Sequence, residues 1–349
     1  MSTRLTSRVR RSTLAVVGVA ALALLLPVTS ANAAALDRST SSGTASVAAD
    51  VYMMDNSADV GLQPHNIGSI WQSPDIKVCN TAVECAVSQN PIVGQTNYIF
   101  IKLRNPGPYG NSVTEDGELH VYRTTPGGGA AWPTHWTEIG WTSVSVAPGV
   151  TTVTIPWNGV PGPGHFCLLT RWVSPNDPMT VEGPDTPQNT RNNNNIAWRN
   201  VDSVALPGNG QTEVRPFAIG NVLREPTRNS VVFNEEGAGL RAVGGRLVVD
   251  LGPTLFERWV AGGMAGRGIR EAGRNQVEIV EPGQASLDNL VLQGNERLTM
   301  RLLFTATTTG ATQRPTAVLV TQFGPDITGK DRADLGGVRY DVTVGKRAQ

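Results

Sequence analysis

Histidine and cysteine are scarce in this chain, four and three residues in 349. That scarcity removes most metal and nucleophile chemistry from consideration. Cys79, Cys85 and Cys167 with His65, His120, His135 and His165 make no zinc-binding spacing. There is no His-Glu-x-x-His pair and no Gly-x-Ser-x-Gly elbow. Gly262–Arg274 is glycine-rich and basic, but it has no Gly-Lys-Ser/Thr ending and no complete Gly-x-Gly-x-x-Gly. It therefore reads as a mobile surface loop and not as a phosphate cradle. Charged residues are few, 17% of the chain, with 29 bases against 29 acids. Long apolar runs are missing after the N-terminus, so no second stretch reaches membrane-spanning length. No lipidation or wall-sorting signal stands at either end.

What is present begins with an export signal. Arg4, Arg8, Arg10 and Arg11 form a basic region, Leu14–Leu26 an apolar one, and Ala31-Asn32-Ala33 a cleavage site. Arg10-Arg11 is followed by Ser12-Thr13-Leu14, a partial twin-arginine pattern, so the general secretory route is expected. Residues 1–33 are read as the signal peptide and 34–48 as a flexible leader with no apolar face to bury. Removing the four signal arginines leaves 25 bases and 29 acids, a formal charge of −4. That balance argues against a nucleic-acid binder held by phosphate neutralisation. A secreted, extracellular location is expected, with no membrane span in the mature chain.

The 38 glycines and 23 prolines punctuate many short alternating runs. This pattern predicts an all-β protein of two Ig-like antiparallel β-sandwich domains in tandem. The first covers 49–205, the linker 206–211 and the second 212–349. Ile99, Ile101 and Leu103 share one face of the clearest strand, Asn97–Asn105. Phe166, Leu168, Thr170 and Trp172 alternate with Cys167, Leu169 and Arg171, which predicts a strand packed on one side. It is expected to pair, across a long polar loop, with a strand over Asn195–Val201. Beyond the linker seven strands are expected, with a helix possible near Pro253–Ala261. Cys79 and Cys85 flank a short polar turn and are the expected disulfide pair, with Cys167 then a buried free thiol; a bridge from Cys167 to either stays open from the sequence.

Several stretches carry a family resemblance. They are Ser73-Pro74-Asp75-Ile76, Asn90-Pro91, Gln95-Thr96-Asn97-Tyr98, Arg104-Asn105, Gly164-His165-Phe166-Cys167-Leu168-Leu169 and Asn194-Asn195-Ile196-Ala197-Trp198-Arg199-Asn200-Val201. Over about 48–205 the chain resembles a bacterial Ig-like sandwich of the CARDB type, similar to fibronectin-like domains. The resemblance implies a sandwich fold and an accessory role beside secreted proteases or adhesins. It implies no catalytic residues.

No catalytic residue, metal site or cofactor is expected. Asp55–Gly61 reads as an Asx-type turn rather than a calcium loop. The indoles are more informative, because an exposed tryptophan offers apolar area and a polar N–H to a sugar ring. Trp157, Trp172 and Trp198 are expected in the core. Trp132 and Trp136, in a Gly/Pro loop, are candidate ligand contacts. Asn192 and Asn193, in the asparagine run, are candidates for a glycan, although turn formation is the preferred reading of such a run. Arg267 and Arg270 are candidates for an acidic polymer. The expected function is non-catalytic binding of an extracellular protein or polysaccharide through loops or sheet edges. The rivals are a secreted hydrolase, or its inhibitor, with a site at the domain junction, and a structural component of a surface assembly.

Overall fold

The computed structural model describes residues 48–281, 283–307 and 316–345. The expected signal peptide and residues 34–47 of the leader lie outside them. The first sandwich is built from β1 (Ile76–Cys79), β2 (Asn97–Asn105), β3 (Glu115–Thr124), β4 (Thr137–Val146), β5 (Gly149–Trp157), β6 (Cys167–Val173), α1 (Thr186–Asn192) and β7 (Ile196–Arg199). The sheet β1-β2-β5 faces the sheet β4-β3-β6-β7, and every pairing is antiparallel. Ile99, Ile101 and Leu103 meet Leu119, Val121, Leu168 and Trp172 between the sheets, as the period of two demands. Cys79 and Cys85 are joined in a disulfide, and Cys167 is a buried free thiol.

The second sandwich contains β8 (Val201–Leu206), β9 (Thr212–Gly220), β10 (Thr227–Gly237), β11 (Gly245–Asp250), α2 (Gly252–Ala261), β12 (Gly266–Arg267), β13 (Ile269–Gly273), β14 (Gln276–Ile279), β15 (Ala285–Leu292), β16 (Arg297–Ala306), β17 (Thr316–Pro325) and β18 (Arg332–Val344). The sheet β12-β15-β10-β17-β18-β8 packs on the sheet β13-β14-β11-β16-β9. Helix α2 forms at the expected place and inserts Leu255 and Trp259 into this core. No helix among the described residues is long and apolar enough to cross a membrane.

Four expectations change. The sequence places Val201–Ala205 in the first sandwich, but β8 pairs in parallel with β18 of the second, from Arg339↔Val201 to Val344↔Leu206. A single residue, Asn200, carries the chain between the sandwiches. Its N–H donates to the Trp71 carbonyl at 2.8 Å, its side-chain amide to the Gly337 carbonyl, and its own carbonyl accepts from Arg339 at 3.0 Å. The glycine-rich segment expected as a mobile loop contains β12 and β13, which pair with β15 and β14. Beyond the linker the described residues form ten strands, β9 to β18, rather than seven. Finally, β6 is covered on both faces. Cys167 and Leu169 pack with Ile70, Trp71, Trp136 and Trp198 in a separate cluster between the sandwiches.

That cluster is sealed by glycine. The loop after β3 lays Gly127 beside Ala218 of β9, with the Gly128 N–H donating to the Ala218 carbonyl at 2.9 Å and the Gly129 N–H to the Leu335 carbonyl at 2.8 Å. A Cβ on Gly127 would lie 2.0 Å from the Ala218 oxygen, and one on Gly129 2.3 Å from the Gly220 oxygen. From the other side, the rings of Trp71 and Trp198 press on Gly337 and Gly336, where a Cβ would approach within 2.6 and 2.4 Å. Arg297 of β16 completes the junction by donating to Thr124 Oγ1 at 3.0 Å and the Thr125 carbonyl at 2.8 Å.

One end of the first sandwich carries an internal cost. The Asp177 carboxylate accepts from the Val51 N–H at 2.8 Å. Burial, then the charges of Asp50 and Glu115, push its carboxyl up from 3.8 to about 6. The folded state therefore holds a proton that the unfolded state releases, and stability falls as pH rises from about 4 to 6. Asp177→Asn keeps an acceptor for Val51 and removes the charge. Urea denaturation should show it more stable than wild type by roughly 1–2 kcal/mol at neutral pH, with the gain vanishing below about pH 4.

Candidate functional site

The outer face of the sheet β4-β3-β6-β7 is covered at one end by the junction and open at the other. Alternation along β3 puts Glu118, His120 and Tyr122 on this face. Cross-strand register brings Trp141 of β4 and Arg171 of β6 to either side of His120. The rings form a stair. Trp141 stacks on His120 with centroids 5.8 Å apart at 20°, and His120 on Tyr122 at 6.3 Å and 12°. Tyr122 meets the edge of Trp132 at 5.0 Å, and the Arg171 guanidinium lies over the Trp132 ring at 4.5 Å.

The stair is held from its sides. Glu138 lies 2.8 Å from His120 Nδ1 and Glu118 3.2 Å from Nε2, which fixes the imidazole plane parallel to the indole. Glu182 pairs with Arg171. Trp141, at the top, is 55% exposed. An exposed ring on a sheet, held by its neighbours before any ligand arrives, loses little freedom on binding. Glu118 and Glu138 beside His120 and Glu182 beside Arg171 offer acceptors to hydroxyl groups, and three carboxylates against one guanidinium repel polyanions.

The structure separates the residues expected to bind. Trp132 belongs to the stair. Trp136 does not: it is buried against Trp198, and its Nε1 donates to Thr186 Oγ1 at 3.0 Å. Asn192 ends α1, its amide donating to the Gln188 carbonyl at 2.8 Å. Asn193 is 1% exposed and spends its side chain internally, accepting from Thr180 and Val181 and donating to Val181 and Asn189. The asparagine run is thus a buried scaffold. Arg267 and Arg270 lie in different sheets and do not act together. Asp55–Gly61 is a self-bonded turn in which Asp59 accepts from the N–H groups of Asp55 and Gly61. Among the described residues no group of three or more His, Cys, Asp and Glu is placed to hold a metal.

A small open concavity at the junction is lined by Ser88, Trp157, His165, Arg199 and Asp202 among others. His165 Nδ1 is 3.1 Å from Asp202 Oδ2, and Arg215 Nε is 3.0 Å from the same oxygen. Neither contact has hydrogen-bond alignment. Cys167 takes no part: burial pushes its thiol up to about 12, against the weaker opposing pull of Arg297, the Gly127 N–H and Trp198.

No family model matches the chain, and no curated protein matches it. Among solved structures, a red sea bream transglutaminase is similar at 12% identity and a TM-score of 0.20, over 78% of this chain and 31% of that one. The chain thus spans about a third of the transglutaminase. The CupB6 tip adhesin from Pseudomonas aeruginosa is similar at 11% identity and a TM-score of 0.23, over 78% of this chain and 98% of that one. The N-terminal domain of PorA is similar at 14% identity and a TM-score of 0.20, over 43% of this chain and 92% of that one. Superposition this loose transfers no activity.

Proposed function

We propose that this chain is a secreted, non-catalytic binding protein that holds the neutral sugar rings of an extracellular polysaccharide against the outer face of β4, β3 and β6. The reading rests on one observation: Trp141 stands in solvent, stacked on an imidazole that two carboxylates hold in plane. Indole faces supply apolar area to the axial C–H face of a sugar, and the flanking glutamates accept from its hydroxyls. An accessory sandwich of the CARDB type, which residues 48–205 resemble, fits this role.

Titration calorimetry with cellohexaose, chitohexaose and laminarin tests it. At least one should bind the full chain, and Trp141→Ala should weaken that binding by on the order of tenfold or more. The melting temperature should stay in place, because Trp141 supports no core. Equal affinity in Trp141→Ala, or capture of a protein ligand through this face with no glycan bound, would overturn the proposal. A hydrolase reading rests on the His165–Asp202 pair in the junction cleft; it requires activity in a hydrolase screen that His165→Ala abolishes.

A further inference from the structure

The outer face of the sheet β13-β14-β11-β16-β9 has the opposite electrostatic character. Its core face carries Leu247, Val249, Val277 and Ile279, so alternation turns Arg246, Val248, Asp250, Gln276 and Glu278 outward. One row runs straight across the sheet by register: Arg270, Glu278, Val248, Leu303, Val214. The carboxylate in that row is buried, its side chain only 5% exposed. Three guanidinium groups converge on it: Arg241 at 3.1 Å, Arg246 at 3.0 Å and Arg270 at 2.7 Å. Their own side chains are 51%, 52% and 67% exposed. On the neighbouring row Arg301 pairs with Asp250.

One acid cannot neutralise three bases, so the cluster keeps two surplus positive charges at the surface. The shared carboxylate, held well down to about 2 first by the Arg246 hydrogen bond and then by that of Arg270, stays ionised and keeps the forks in place. The three guanidinium groups, each more than half exposed, remain pre-positioned donors for a second anion, which a planar guanidinium grips through two N–H groups. Beyond Glu278 the row is apolar, with Val248 buried, Leu303 half-buried and Val214 44% exposed at the far edge. The row carries no aromatic ring on which a nucleic-acid base would stack.

We infer that this face is a second binding site, for an acidic polysaccharide whose carboxylate or sulfate groups seat on Arg241, Arg246 and Arg270 while its sugar backbone runs toward Leu303 and Val214. The site is independent of the aromatic stair, and its test removes the stair. Binding of polygalacturonate and of heparin, as carboxylate and sulfate probes, is measured on the full chain carrying Trp141→Ala, with neutral dextran and single-stranded DNA alongside.

At least one acidic glycan should bind, and raising the salt from low to physiological strength should weaken it several-fold. The triple change of Arg241, Arg246 and Arg270 to Gln should reduce affinity by on the order of tenfold or more. Arg270→Gln alone, on an edge strand and leaving Glu278 two partners, should give a smaller loss with the fold intact. Arg258→Gln on α2, which breaks an ion pair with Glu296, should change nothing. The inference falls if Arg270→Gln and the triple variant bind as the parent does, or if dextran or DNA binds as tightly as both acidic glycans.

Discussion

Gly127→Ala should destabilise the chain by about 4 kcal/mol, the sum of a strained backbone and an overpacked contact. Gly127 has φ +138°, a region that L side chains rarely adopt, and its new methyl would stand 2.0 Å from the Ala218 carbonyl oxygen. That oxygen is backbone within β9 and cannot swing away. Relief requires the β3–β4 loop to lift, which breaks the bonds of Gly128 to Ala218 and Gly129 to Leu335. Gly159→Ala is the control, because its φ is +56° but nothing lies within 4 Å of the added carbon. It should cost only ~1 kcal/mol. Thermal and urea denaturation separate the two. A Gly127→Ala protein as stable as Gly159→Ala would mean that the loop does not hold the sandwiches together.

Trp198→Ala should cost about 3–5 kcal/mol, as for other large aromatic side chains removed from a core. Trp198 is fully buried, edge-on to Trp136 at 6.1 Å and pressed on Gly336. Its removal opens the space beside Cys167. The native thiol, buried and pushed up to about 12, should resist iodoacetamide at neutral pH. In folded Trp198→Ala, water enters and labelling should proceed under conditions that leave the parent unmodified. Mass spectrometry after brief exposure reads the difference directly. Rapid labelling of the parent would refute the sealed junction.

How far the sequence could be read follows from what periodicity reports. It reports which residues share a face, and it placed Ile99, Ile101 and Leu103 correctly because one sheet covers all three. It does not report how much of a face a second body covers. The alternation along β6 therefore predicts a strand packed on one side, whereas Cys167 and Leu169 pack in a second cluster on the other. The same blindness hid the stair: Trp141 and Trp136 are equally aromatic, and only the junction decides which stays wet. Helix α1 had a local signal, Asp185 before Thr186-Pro187, an N-cap followed by proline in the first turn. The asparagines around it masked that signal by reading as a turn. For β8 no local signal exists, because its partner β18 lies more than a hundred residues away and its pairing is parallel.

That parallel pairing has a mechanical consequence. The first sandwich is attached to β8 at Asn200, whereas the segment after β18 leaves from Val344, at the opposite end of the pair. Tension between those two points runs along the strands and loads all six paired positions together in shear, instead of opening them one after another like a zip. A tether pulled through this chain would load the β8–β18 pair, just inside the second sandwich, in that geometry.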